Sequence, residues 1–140
     1  MIRTFMSTYG FIFLRYSLAI VFFWFGILKP IGLSPAAALV EKTVFWFSAD
    51  WFVPFLGWWE AAIGIFLLFR STLRIALLLL FLQIPGTFLP LVLLPEITFD
   101  HFPFGLSLEG QYVIKNLVLI AAAITVGGTV TDRAYGKIQY

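Results

Sequence analysis

GFIFLRYSLAIVFFWFGIL, residues Gly10 to Leu28, is apolar throughout except for Arg15 and the hydroxyls of Tyr16 and Ser17. A helix rises about 1.5 Å per residue, so a run of this length matches the ~30 Å hydrocarbon core of a bilayer. It ends at Lys29-Pro30-Ile31-Gly32, a helix-stopping sequence. Three similar blocks follow: Phe52 to Phe69 before Arg70-Ser71-Thr72, Leu73 to Leu94 before Pro95-Glu96, and Val113 to Val130 before Thr131-Asp132-Arg133. None alternates with the period of two that a barrel strand needs, and a helix satisfies its backbone internally. The pattern predicts an all-α integral membrane protein: one domain over residues 1–140, a four-transmembrane-helix bundle with spans about 10–29, 52–69, 73–94 and 113–130.

Composition agrees. The chain is 61% hydrophobic, 19% aromatic and 11% charged, where soluble domains are about 45–50% apolar and 25% charged. Seventeen Phe and five Trp exceed what so small a globule can bury, and lipid is the solvent that tolerates them. The net charge of +2 is spread along the chain, without the basic stripe that nucleic-acid binding requires. With no Cys, disulfides and thiolate metal sites are excluded, and a single His excludes bis-histidine haem. Neither a metal nor a haem is expected. Pro35-Ala36-Ala37-Ala38 offers small residues after the first run, as a cleavage site would. That run is longer than a signal-peptide core and carries Arg15, so it is expected to remain as a span.

Ser34-Pro35 reads as an N-cap with Pro at the first helical position, opening a short interfacial helix over about 35–48. It carries Leu39, Val40, Trp46 and Phe47 beside Glu41 and Lys42. The third span holds Pro85, Pro90 and Pro95 and is expected to kink or break towards its end. Arg3, Arg70, Arg74, Arg133 and Lys137 flank one side of the spans; Glu41, Asp50, Glu96, Asp100 and Glu109, with Lys42, flank the other. The excess of basic residues on cytoplasmic segments then puts both termini and the Arg70–Arg74 turn inside.

Charges at membrane depth are costly and are site candidates by default. There are four: Arg15, Lys29, Glu60 and Lys115, joined by uncharged Gln83 and Asn116. Arg15, Ala19, Phe22, Gly26 and Lys29 form one seam of the first span. Gly57, Glu60, Ala61 and Gly64 form a small-residue face that turns Glu60 inward. Lys115 lies above Ala122, beside a face with Asn116, Ala123 and Gly127. Helical rise puts Lys29 at the outer rim, Arg15 ~21 Å below it, and Glu60 ~12 Å deep. Arg15 could then approach Glu60 from below. Plainer readings stand beside these. Lys29 and Arg15 are also placed to snorkel, and Glu60 with Lys115 to form a structural ion pair. Trp58 and Trp59 flank Glu60 and could line a pocket or join an interfacial belt with Trp46 and Trp51. Gln83, beside Pro85, would ordinarily bond a freed carbonyl. Asp100-His101 is too small a set for a metal centre.

These residues also carry a resemblance. Leu14-Arg15-Tyr16, Phe25-Gly26-Ile27-Leu28-Lys29, Gly57-Trp58-Trp59-Glu60 with Gly64, and Leu108-Glu109-Gly110-Gln111-Tyr112-Val113-Ile114-Lys115-Asn116 occur in this order. Over nearly its whole length the chain resembles the DoxX-like superfamily of small four-helix membrane proteins. Its nearest likeness is to the YkgB-like branch, which includes a reactive-chlorine-resistance membrane protein. The resemblance implies a bacterial inner-membrane location and a role tied to oxidative stress or to a quinone-linked oxidoreductase. Arg15, Lys29, Glu60 and Lys115 match the family's charged positions. Asn116 departs from a frequent Asp, which weakens any scheme needing a second buried carboxylate.

Three functions compete. The first is a redox- or stress-linked component binding a quinone or similar amphipathic molecule. In it Glu60 and Lys115 handle protons and hydrogen bonds, while Arg15, Lys29, Trp58, Trp59 and Asn116 hold the ligand. With no redox centre encoded, electrons would come from a redox partner protein or soluble donor. The second is a membrane anchor or scaffold in which the charges set bundle register. The third is a small transporter or channel, for which four helices require a homo-oligomer. Whether there is catalysis stays open on the sequence.

Overall fold

The computed structural model describes residues 1–46 and 48–130. Phe47 of the expected interfacial helix, and Asp132, Arg133 and Lys137 of the tail, lie outside the described residues. The elements in order are α1 (Ile2–Leu28), α2 (Ala37–Thr43), α3 (Ala49–Leu68), α4 (Leu73–Leu93), α5 (Pro95–Thr98), β1 (Phe99–His101), β2 (Gly105–Leu106), α6 (Leu108–Ile114) and α7 (Asn116–Gly128), with a 3-10 turn Arg70–Thr72 before α4. Lys115 joins α6 to α7 in right-handed helical conformation. Four helical segments are therefore long and apolar enough to cross a membrane: Ile2–Leu28, Ala49–Leu68, Arg70–Leu93 and Leu108–Gly128.

These four close into a ring in which α1 packs on α3, α3 on α4, α4 on α7 and α7 back on α1. Leu18, Ala19, Ile63, Leu67, Leu73, Ala76, Leu80, Ala123 and Val126 fill its centre. Large apolar side chains such as Trp24, Phe55, Leu78, Leu82 and Ile124 point outward, the inverse of a water-soluble globule and the arrangement a lipid solvent favours.

The closest crossing is α1 on α3, and it follows from residue size. A β-carbon at Gly57 would lie 2.6 Å from the Gly26 carbonyl oxygen; one at Gly64 would lie 2.6 Å from the Phe23 nitrogen. Only glycine permits that approach, which maximises the van der Waals contact that drives helix association in lipid. Pro30 lacks an N–H, so the Gly26 carbonyl loses its ordinary i+4 donor. Lys29 N donates to that carbonyl instead, at 3.2 Å, and the carbonyl faces Gly57.

The boundaries correct several expectations. α1 starts at Ile2 rather than Gly10, because Arg3, Thr4, Ser7 and Thr8 do not interrupt a helix; Ser7 and Thr8 hydroxyls donate back to the Thr4 carbonyl. Its end is a Schellman closure: Gly32, at φ 76°, donates to the Lys29 carbonyl and Leu33 donates to that of Leu28. α2 is shorter than the expected 35–48. Its N-cap is Ala36, and the Ser34 hydroxyl accepts from Ala36 N at 3.3 Å in a local turn instead. α4 runs unbroken through Pro85 and Pro90 and stops at Leu93, before Pro95. The fourth span begins at Leu108, five residues before the expected start, because Ser107 caps it by accepting from Gly110 N. Between α4 and α6, where the sequence pattern predicts a loop, lie α5 and a two-stranded antiparallel hairpin.

Candidate functional site

Register along the α1–α3 crossing decides which charges meet. Gly26 lies against Ala61 and Glu60, and Gly57 against Lys29 and Pro30. α1 therefore ends at the level of Gly57, eight residues and ~12 Å short of the start of α3. Lys29 is consequently not a rim residue. It is 7% exposed and forms an ion pair with Glu60 Oε2, itself on a residue only 9% exposed. The snorkelling reading of Lys29 is overturned by the helix simply stopping lower than its neighbours. Its ammonium also sits at the C-terminal end of α1, where the helix dipole favours a cation.

The second oxygen of Glu60 is held from the other side. Gln83, midway along α4, donates from Nε2 to Glu60 Oε1 at 2.8 Å. One carboxylate thus ties three helices, α1 through Lys29 and α4 through Gln83, with α3 between. Each interaction with the carboxylate is charge-assisted and stronger than a neutral hydrogen bond. Gln83 Oε1 is buried with no hydrogen-bond partner among the described residues. Gln83 was expected to bond a carbonyl released by Pro85; it faces Glu60 instead, because positions 60 and 83 fall on the packed faces of antiparallel α3 and α4.

The other expected members stand apart. Gly26 is level with Glu60, and Arg15 is eleven residues along α1, ~16 Å away and out of side-chain reach. Its guanidinium carbon lies 5.1 Å from the Tyr16 ring centre, and its Nε is buried without a partner among the described residues. Lys115 is exposed, with its ammonium 5.8 Å from the Tyr112 ring centre, and makes no ion pair with Glu60. Neither the expected approach of Arg15 to Glu60 nor the Glu60–Lys115 pair forms among the described residues. Asn116 donates to the carbonyls of Tyr112 and Val113 at 3.2 and 3.1 Å, bridging the α6–α7 junction. Trp58 is 60% exposed on the outer surface. Trp59 turns into the α3–α4 seam, its Nε1 donating to the Leu79 carbonyl at 3.3 Å and its ring 6.0 Å from that of Phe55. Asp100 and His101 are exposed on the hairpin, and no group of three metal-ligating side chains forms among the described residues.

The site that the structure builds is therefore Lys29, Glu60 and Gln83, with Trp59 a turn away. It lies in the half of the bundle nearer α2 and the hairpin, while the apolar core fills the other half. Two concavities, of about 840 and 230 Å³, lie at the opposite end, lined by the first half of α1 with Thr125 and by the Arg70–Arg74 turn with Thr129; neither is lined by Glu60. No protein-family model, characterised protein or solved structure matches this chain.

Proposed function

We propose that this chain is a multi-pass bacterial inner-membrane protein of DoxX-like type, with both termini cytoplasmic. In this reading it serves a redox- or oxidative-stress-linked system by binding a quinone or similar amphipathic ligand at Lys29, Glu60 and Gln83. The observation that carries the reading is the unmet hydrogen-bonding capacity at the triad. Gln83 Oε1 is a buried acceptor without a donor, and one Lys29 ammonium hydrogen suffices for Glu60, leaving two. A buried acceptor left unpaired costs about 1–3 kcal/mol, so a ligand hydroxyl donating to it would be favoured. A quinone carbonyl would accept from the Lys29 ammonium, and the reduced quinol form would donate a hydroxyl hydrogen to Gln83 Oε1. Trp59 and Phe55 offer an aromatic wall on the lipid side. The order of the four motif segments supports the DoxX-like likeness, and the basic Arg70–Arg74 turn supports the orientation.

The test is purification in mild detergent followed by solvent extraction for quinones, with melting curves in the presence of a short-chain quinone. Bound quinone in the wild type, and stabilisation by added quinone that Gln83→Leu and Glu60→Gln lose, are expected. No quinone and no stabilisation would overturn the reading. A second reading, a scaffold in which the triad only fixes register, draws on the glycine-tight α1–α3 crossing. It expects a Lys29→Met/Glu60→Met double variant to assemble and function as wild type.

A further inference from the structure

The described charges are sorted by end. Glu41, Asp50, Glu96, Asp100 and Glu109 stand on α2, the start of α3, and the segment from α5 to α6, with Lys42 and Lys115 among them. The opposite end carries Arg3, Arg15, Arg70 and Arg74 and, among the described residues, no acid. Continuing the α1–α3 register brings Arg15 level with the Arg70 turn, so Arg15, Arg70 and Arg74 share one zone, while Arg3 lies ~18 Å further along α1. There, between the start of α4 and the end of α7, lies a recess of about 230 Å³ lined by Arg70, Ser71, Leu73, Arg74, Thr129 and Val130. Arg70 and Arg74 are exposed and make no ion pair with any described residue.

We propose that this recess binds the headgroup of an anionic phospholipid. The phosphate sits between Arg70 and Arg74, with the Ser71 hydroxyl as a further donor, and the acyl chains run along the exposed Ile75, Leu78 and Leu82 of α4. Charge complementarity selects the occupant. Paired guanidiniums match phosphate oxygens better than any neutral group, and a zwitterionic headgroup would bring its own cation into a zone of three. A lipid also delivers its phosphate at the depth where a span meets the interface, with its chains beside an apolar helix face, which a soluble anion does not. The recess is independent of the Lys29–Glu60–Gln83 site.

Native mass spectrometry of the full chain, with phosphatidylglycerol and phosphatidylcholine in equal amounts, tests this. The wild type is expected to retain one phosphatidylglycerol in preference to phosphatidylcholine by about thirtyfold, the equivalent of roughly 2 kcal/mol for the two arginines. Arg70→Gln/Arg74→Gln should abolish the preference, and Lys42→Gln/Lys115→Gln at the other end should keep it. Equal retention of both lipids, or a preference that survives in the arginine double variant, overturns the proposal. So does complete displacement by glycerol phosphate at the lipid's concentration, which would make the site one for a soluble anion. Asp132 lies outside the described residues; a preference that emerges only in Asp132→Asn would equally overturn it.

Discussion

Glu60 is short, buried and placed on the tightest helix crossing, so its charge has to be answered by side chains rather than by water. Lys29 and Gln83 answer it, one to each oxygen. The energetic consequence is asymmetric. Removing one member of a buried ion pair strands the other and costs about 3–5 kcal/mol, whereas replacing both with apolar groups is often neutral or better. Lys29→Met is therefore expected to destabilise the protein by roughly 3 kcal/mol, and Lys29→Met/Glu60→Met to restore most of the loss. Reversible unfolding in mixed micelles measures both, and strictly additive losses would show that the two residues are not coupled. Gln83→Leu should cost about 1.5–3 kcal/mol, the range for a hydrogen bond to a charged group. In the sequence, Glu60 was readable as an inward charge because its i+1 and i+4 neighbours, Ala61 and Gly64, are small. Its partners were harder to read. Lys29 follows the last apolar residue of a run, the usual sign of a rim position, and only the register of the crossing reveals that α1 ends two turns early. Lys115 and Asn116 sit at a helix junction, where a residue's face cannot be projected from a single uninterrupted helix.

Among the spans, α1 and α3 meet at backbone distance. They touch through Gly26, Gly57 and Gly64, so a bulky residue there meets backbone atoms, β-carbons and the Pro30 ring rather than the movable ends of side chains. Gly64→Leu should drive α1 off α3, costing on the order of 3 kcal/mol or more, and should also weaken the Lys29–Glu60 contact two turns away. Gly86 is the contrasting case. It lies inside α4, and a β-carbon there would meet nothing within 4 Å. Gly86→Ala is expected to be neutral or to stabilise by up to about 1 kcal/mol through reduced backbone entropy in the unfolded chain. A pair of melting curves separates the two glycines, and a destabilised Gly86→Ala would place an undescribed neighbour against α4. The four spans were legible because apolar length is a strong signal. The hairpin between α5 and α6 was not, since its strands of three and two residues are too short to show alternation. It is held instead by non-local bonds: Ser107 N donates to the Thr98 carbonyl at 2.9 Å, and the Ser107 hydroxyl donates to that of Ile97.

At the scale of the whole molecule, the ring of helices is nearly neutral within and polarised between its ends. The only ion pair among the described residues cancels itself inside. The four described arginines at one end face five described acids at the other. During insertion, basic residues near a span resist translocation more than acidic ones assist it, so the short Arg70–Arg74 turn should dominate the choice of orientation. Arg15 adds to it, lying at the same level on α1. The absence of cysteine makes the outcome directly measurable, because any single introduced thiol is the only one in the chain. Ser71→Cys, in the arginine turn, and Asp100→Cys, on the hairpin, both occupy exposed positions. In intact cells whose outer membrane has been made permeable, a membrane-impermeant maleimide is expected to label Asp100→Cys at once and Ser71→Cys only after lysis. Labelling in the reverse order would invert the orientation. Equal labelling of both before lysis would mean that the hairpin and the turn share a compartment, and that α4, the one span between them, does not cross the bilayer.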